Sequence, residues 1–353
     1  MAMGIASLFL AMTQVSHAGT MVYVSNADSQ EISVLELDRA QGQLKAVETV
    51  AVGGTVMPMA VSPDKRHLYA ALRSQPYRVV SFSMDPANGR LKKLAESALA
   101  ESMANIDTDV KGRWLFSASY GGGRIAINEI GKDGVVGPIR QLIETGPNAH
   151  AIHADRQNRF VLATSLGGDE VSVWQLDQEK GRLTALEDSR IKVTAHSGPR
   201  HFVWDAAQQH LYLLGELDAS LTVYDWDAAT GRLREKQRLS TLPPGFSGKP
   251  WAADLHFSPD GRHLYTSERS TSTLATFRVD QETGRLQAQG HTPTAKTPRG
   301  FAIDPSGHYL IAAGQDSHSV SLHTLDPANG ALGTARETPV GKNPNWVEIV
   351  DLP

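Results

Sequence analysis

The 353-residue chain has no cysteine. That excludes disulfides, thiolate catalysis and Cys-ligated zinc. No segment holds a helical apolar period over three turns, and after the N-terminus no apolar run is long enough to span a bilayer. Charge of one sign is also scarce in excess: 34 Lys and Arg stand against 38 Asp and Glu, a net of −4 without long runs. Basic patches interleaved with aromatics are missing, which argues against nucleic acid as a partner. There is no GxSxG elbow to present a serine nucleophile. The chain is rich in turn formers, with 31 glycines and 18 prolines.

What is present is a repeat. Tyr23, Tyr69, Phe116, Leu162, Tyr212, Tyr265 and Ile311 hold equivalent positions in a β-rich hexamer. A second motif follows each: a strand, an acidic or polar turn, then Gly and usually an apolar residue. Examples are VVSFSMDPANGRL, VSVWQLDQEKGRL and LTVYDWDAATGRL, and the glycines are Gly42, Gly89, Gly134, Gly181, Gly231, Gly284 and Gly330. The first markers step by 46 or 47 residues and then by 50 and 53, and the glycines stretch at the same places.

A period of about 40–50 residues with several short strands per unit predicts β-propeller blades rather than a solenoid. The Gly-His and Trp-Asp landmarks of WD repeats do not recur; Trp226-Asp227 occurs once. The expectation is an all-β, seven-bladed propeller occupying residues 19–353 as one domain. Its first repeat lacks an innermost strand. The C-terminal segment Trp346–Val350 is expected to supply it, pairing the two chain ends and covering open sheet edges.

Residues 1–18 read differently. Ile5–Met12 (IASLFLAM) is a short apolar core, and Ser16-His17-Ala18 resembles a cleavage site. No Lys or Arg precedes that core. The expectation is a signal peptide with the mature protein in the periplasm; the alternative is a tail on a cytoplasmic enzyme.

Register then predicts a site. The residues twelve before each first marker are Met57, Ala104, His150, Arg200, Ala253 and Arg299, with Asn345 from the C-terminal copy. Four after each marker stand Ala27, Arg73, Tyr120, Leu166, Glu216, Arg269 and Gln315. Antiparallel pairing places both sets at one mouth of the central tunnel. His150, Arg200, Glu216 and Arg299 are therefore expected around one pocket, with Arg73, Tyr120, Arg269 and Gln315 further out. The Pro/Gly-rich loop Leu242–Pro250 is expected to wall the same face. His67, His210 and His263 recur beside the markers and read as scaffold. Asp254 and His256 make only a weak case for a divalent ion, so no metal and no cofactor is expected.

The stretches MPMAVSPDKRHLY (57–69), SGPRHFVWD (197–205), GELDASLTVY (215–224), PWAADLHFSPDGRHLY (250–265), TPRGFAIDPSGHYLIAAGQDSH (297–318) and NPNWV (343–347) resemble the seven-bladed lactonases of the bacterial 6-phosphogluconolactonase type. The resemblance implies a sugar-lactone hydrolase. Fungal carboxymuconate lactonizing enzymes share the fold, and the His, two Arg and Glu implicated there fall here on His150, Arg200, Arg299 and Glu216. The leader-like segment departs from the cytoplasmic members. Hydrolysis would need Glu216 or His150 as base and Arg200 and Arg299 at the carbonyl oxygen; Arg73, Tyr120, Asp254, Arg269 and Gln315 are expected to bind substrate. A periplasmic address favours glucono-1,5-lactone. The alternatives are 6-phosphogluconolactone, a lactonizing isomerase, and a propeller that only binds. The expected partner is a small sugar lactone, with no membrane, and the protein itself a monomer or small homo-oligomer.

Overall fold

A computed structural model describes residues 19–352; the predicted leader lies outside them. Among the described residues no helix is long and apolar enough to cross a membrane. Seven four-stranded antiparallel sheets are arranged as blades. Their innermost strands are Pro344–Asp351 (blade 1), Val56–Val61, Met103–Thr108, Ala149–Ala154, Pro199–Trp204, Ala252–Phe257 and Pro298–Ile303 (blade 7). Each touches the next in that order, and blade 7 touches blade 1, so the ring closes.

The second strands, such as Phe160–Ser165 and His210–Gly215, are buried along their whole length. They have neighbours on both faces, because each blade is covered by two others. The outermost strands are half solvated: Gln43–Ala51 and Leu91–Ala98 have no fully buried residue. The apolar core is therefore divided into seven seams, one between each pair of adjacent blades. Tyr23, Ile32 and Val34 of blade 1 pack on Leu68, Val80 and Phe82 of blade 2. Val22, Val24 and Leu35 of blade 1 meet Ile311, Val320 and Leu322 of blade 7 across the closing seam.

The closure has the expected form. Pro344–Asp351 pairs antiparallel with Thr20–Asn26, placing Thr20 opposite Asp351 and Tyr23 opposite Glu348.

The joint drift of the two sequence markers has a physical cause in the seams. The hydroxyls of Tyr23, Tyr212 and Tyr265 donate to the carbonyls of Gly89, Gly284 and Gly330 in the following blade, at 2.8, 2.8 and 2.9 Å. Residues two before the markers pack onto the same turns. A Cβ on Gly284 would lie 2.4 Å from His210 Nδ1, and one on Gly134 would lie 2.1 Å from His67 Nε2. Both glycines have positive φ, +68° and +76°, where a side chain is strained in any case. His67, His210 and His263 are thus inter-blade packing residues, His263 lying against Gly330.

Candidate active site

Every innermost strand carries a β-bulge near its start. In the blade of Pro199–Trp204, Pro199 pairs with Gly215 and Phe202 with Leu213, so Arg200 and His201 together face one partner residue. The same two-against-one count falls on His150 and Ala151, on Ala253 and Asp254, and on Arg299 and Gly300. A bulge breaks the in–out alternation and re-aims side chains. Two consecutive residues, Arg200 and His201, can therefore touch each other, with Arg200 Nη1 3.3 Å from His201 Nε2. The bulged backbone is held by hydroxyls from the second strand. Thr164 Oγ1 accepts from Ala151 N at 2.9 Å and donates to Arg200 O, in the next blade, at 2.8 Å.

At the mouth, Glu216 joins two arginines through one oxygen. Arg200 Nε lies 2.7 Å and Arg269 Nη2 2.9 Å from its Oε2. Arg200 also donates to Ala253 O. Arg269 donates to Trp251 O and Ala252 O, both at 3.1 Å, and its guanidinium lies 3.9 Å from the Trp251 ring centre. His150 is buried; Tyr120 meets it edge-on at 6.0 Å and His201 at 5.0 Å between ring centres. Arg73 donates only to neutral groups, Ser102 Oγ at 3.0 Å and Met57 Sδ at 3.2 Å. Arg299 lies within the fields of Arg200, Arg269 and Arg73, with no hydrogen bond or ion pair among the described residues.

Four guanidiniums and one carboxylate thus share a poorly solvated mouth, and the protonation states follow. Burial, with Arg200, His201, Arg299 and Arg269 adding repulsion, holds the His150 imidazole well below its usual range. Burial would raise Glu216, but Arg200 and Arg269 outweigh it and hold the carboxyl low. Burial and Arg200 push Arg269 down to about 9, so it is still charged at neutral pH. His150 Nδ1 has no partner among the described residues.

The other predicted residues lie apart from this cluster. Gln315 sits on the rim and donates to Asn343 Oδ1 at 2.8 Å. Asp254 lies one layer below the mouth, where His201 Nδ1 (2.7 Å), His256 Nε2 (3.1 Å) and the backbone N–H groups of Leu255 (3.0 Å) and Phe301 (3.3 Å) occupy its oxygens. Deeper, a tunnel cavity of about 580 Å³ is lined by His153, Asp107, His256 and Glu348 with Trp204 and Phe301. Among the described residues no group of three His or carboxylates is arranged to hold a metal ion.

Register by itself did not single out His201 or Trp251. Counting eleven rather than twelve back from the markers would have found His201. Trp251 is 43% exposed and follows directly on the loop Leu242–Pro250. That loop is tied to the mouth by Ser270 Oγ donating to Lys249 O at 2.8 Å.

A closed seven-bladed ring with a cation-lined mouth defines a β-propeller with one basic opening. The sequence profile described as "Lactonase, 7-bladed beta-propeller" matches residues 14–349, and the chain belongs to that family. It is 40% identical over 287 residues to the 6-phosphogluconolactonase of Pectobacterium carotovorum, covering 81% of this chain and 85% of that one. The Klebsiella pneumoniae 6-phosphogluconolactonase is 37% identical over 286 residues, with the same coverage. Among solved structures, the periplasmic gluconolactonase of Pseudomonas aeruginosa superposes with a TM-score of 0.89 at 28% identity, covering 95% of this chain and all of that one. A Lactobacillus plantarum protein at 23% identity shares the fold, with a TM-score of 0.86 over 94% of this chain and 99% of that one. The protein is a lactone hydrolase acting on a sugar-acid lactone.

Proposed function

We propose that the preferred substrate is a 6-phosphorylated aldono-1,5-lactone, hydrolysed to the phosphorylated aldonate. The observation that carries this reading is the pair of arginines without a counterion. Glu216 pairs with Arg200 and Arg269, while Arg73 bonds only neutral groups and Arg299 makes no ion pair, the field of Glu216 on it being outweighed by burial and the three other arginines. Two guanidiniums without an ion pair at one mouth suit a phosphate dianion, which arginine binds with charge-assisted, often bidentate bonds. The curated relatives named above are 6-phosphogluconolactonases, which agrees.

The chemistry proposed for the mouth is direct addition of water. Water attacks C1 of the lactone, and the developing oxyanion is met by guanidinium N–H groups already in place. Arg200 supplies one of them. The C1–ring-oxygen bond then breaks, the ring oxygen takes a proton to become a hydroxyl, and the new carboxylic acid ionises to release one proton. His150 is the group suited to move that proton. It is neutral, and Nδ1 is unpartnered. Burial is the first cause of its low basicity and the arginines follow; a bound phosphate offsets the arginine part and so raises its basicity. Glu216 is held ionised by two arginines, which fits a role in spacing and neutralising them better than one in accepting a proton.

A second reading is favoured by two other observations. The leader-like segment Ile5–Met12 with Ser16-His17-Ala18 and the likeness to a periplasmic gluconolactonase would fit an exported enzyme acting on unphosphorylated glucono-1,5-lactone. That address is what favours the unphosphorylated lactone. Initial rates with the two lactones, corrected for spontaneous hydrolysis, separate the readings. The first predicts a kcat/KM at least tenfold higher for the phosphorylated lactone. Equal or reversed values, with the protein recovered in a periplasmic fraction, would overturn it.

A further inference from the structure

Directly beneath the mouth, an ordered chain of side chains runs from the tunnel wall up to Arg200. His256 Nε2 lies 3.1 Å from Asp254 Oδ2, His201 Nδ1 lies 2.7 Å from Asp254 Oδ1, and Arg200 Nη1 lies 3.3 Å from His201 Nε2. Arginine is only a donor. The Arg200–His201 contact is therefore a hydrogen bond only if His201 Nε2 carries no proton. That in turn requires the proton on Nδ1, where the Asp254 carboxylate accepts it. Asp254 is fixed for this task. It receives four hydrogen bonds, two from imidazoles and two from the backbone N–H groups of Leu255 and Phe301. Those donors come from the blades of Pro199–Trp204, Ala252–Phe257 and Pro298–Ile303, so the carboxylate is clamped by three blades.

We propose that His201 and Asp254 are positioning residues for lactone hydrolysis: Asp254 locks His201 in its Nδ1–H tautomer, and the free Nε2 holds the guanidinium of Arg200 in the orientation that presents Nη2 to the lactone. Arg200 Nε is committed to Glu216 and Nη1 to Ala253 O and His201. Nη2 has no partner among the described residues, and the side chain is almost wholly buried, at 2% exposure. The guanidinium is thus fixed on two edges, with the third left for substrate. The states of the groups agree. Burial and Arg200 push His201 down to about 4, so it is neutral under working conditions. Burial would raise Asp254, but His256 and His201 hold it well below its usual range. The other groups facing His201 are the His150 ring at 5.0 Å, Trp346 at 5.8 Å and, more distantly, His153. None of these supplies a competing acceptor for the Nδ1 proton.

The bulge explains why this arrangement exists at all. In a regular strand, Arg200 and His201 would point to opposite faces. The extra residue brings both to the tunnel, one to act at the mouth and one to brace it.

The inference rests on the proposed role of Arg200 at the lactone carbonyl, and Arg200→Met tests that role separately by abolishing turnover. The positioning chain is tested with Asp254→Asn, His201→Gln and His201→Asn in the full chain. Asp254→Asn keeps shape but offers His201 an amide N–H, which favours the Nε2–H tautomer and points a proton at Arg200. Expected is a tenfold to hundredfold fall in kcat, roughly that of other supporting-layer substitutions, with a smaller change in KM and the same ratio for both lactones. Nitrogen-15 chemical shifts of labelled histidine, read without substrate, should show His201 protonated at Nδ1 in the native protein and at Nε2 in Asp254→Asn. His201→Gln retains an acceptor near Nε2 and should keep more activity than His201→Asn, which retains only the donor toward Asp254. If Arg200→Met is inactive while folded Asp254→Asn turns over at the native rate, the proposal is wrong. Native His201 carrying its proton on Nε2, or His201→Asn matching His201→Gln, overturns it equally.

Discussion

Arg200 and Glu216 stand sixteen residues apart in the chain and meet through Nε and Oε2 at 2.7 Å. The pairing follows from one antiparallel hairpin. The innermost strand begins at the mouth, the second strand ends there, and Glu216 N bonds Gly198 O at 2.8 Å to fix the turn of the sheet. Glu216 also holds Arg269 from the next blade, so one carboxylate sets the spacing of two cations. Replacing it by alanine leaves both uncompensated in a mouth where water is scarce. Breaking a buried pair from one side costs about 3 kcal/mol or more. Glu216→Ala is expected to lower the denaturation midpoint clearly in urea and to reduce kcat/KM. Glu216→Gln keeps oxygen and shape, so it should recover part of the stability and less of the activity. Native stability in Glu216→Ala would show that the arginines do not depend on this carboxylate.

Arg299 makes the sharper test of substrate class, because among the described residues its guanidinium has no hydrogen bond or ion pair to lose and the arginine fields outweigh that of Glu216. Arg299→Met should leave stability unchanged or raise it slightly, since it relieves repulsion with Arg200, Arg269 and Arg73. A charge-assisted hydrogen bond is worth about 1.5–3 kcal/mol. The variant should therefore lose roughly ten- to hundredfold in kcat/KM for the phosphorylated lactone. If Arg299 serves phosphate, the loss is much smaller for the unphosphorylated lactone; an equal loss on both assigns it to the lactone carbonyl.

Two buried histidines weaken the fold as pH falls below neutrality, while Glu348, whose carboxyl is pushed up to about 7 by burial, contributes in the opposite sense between 7 and 4.5. His150 and His201 are neutral when folded, His201 down to about 4 against an ordinary 6.5. The unfolded chain binds protons at both imidazoles as pH falls below 6.5, and the folded chain does not. The contribution of the two imidazoles then drops with falling pH across the window from 6.5 to about 4. For His201 the 6.5-to-4 interval corresponds to roughly 3 kcal/mol. His256 acts in the opposite sense: Asp254 overcomes its burial and raises it, so its contribution is complete below 6.5 and is lost on the alkaline side. Asp254 is held low, and its contribution disappears only at strongly acid pH. The urea midpoint of the native protein should lose ground to that of His201→Gln as pH is lowered from 7 to 4.5, because the Glu348 contribution is common to both. Parallel slopes would mean that His201 titrates normally.

The ring and its mouth were legible because symmetry turns register into position. Tyr212 and Gly284 drift together in sequence since a hydrogen bond of 2.8 Å joins them across a seam. Matching offsets placed His150, Arg200, Arg299 and Glu216 at one opening without any local motif. What the pattern hid is the bulge. Strict alternation sends His201 away from the tunnel and keeps Asp254 out of its interior layer, whereas the extra residue at Arg200–His201 and at Ala253–Asp254 turns both members of each pair inward. Trp251 was hidden for a different reason. It holds the register position of Thr55, Gly198 and Thr297, whose carbonyls bond the equivalent second-strand ends; none of those is aromatic, and its place over Arg269 is set by tertiary contact.

The clasp between the chain ends carries a further expectation. Pro344–Asp351 supplies the tunnel-side strand of the first blade, and Val347, Val350 and Leu352 are buried in seams on either side of it. Ending the chain at Asn343 would expose every ladder group of Thr20–Asn26 on one edge and open two apolar seams at once. An unpaired edge of that length is a template for association. The truncated chain is expected to aggregate or elute as high oligomers, with loss of the cooperative thermal transition. Connectivity itself is not what stabilises the ring; strand pairing is. Thr20 and Asp351 are opposite one another, so a permutant joining the ends by a short Gly-Ser linker, and opened at Gly245 in the loop beyond the sheets, retains every pair. That permutant should melt cooperatively near the native temperature. A soluble, cooperatively folding truncation would show that six complete blades and three strands suffice; an unfolded permutant would show that the order of synthesis, rather than the closed ladder, governs folding.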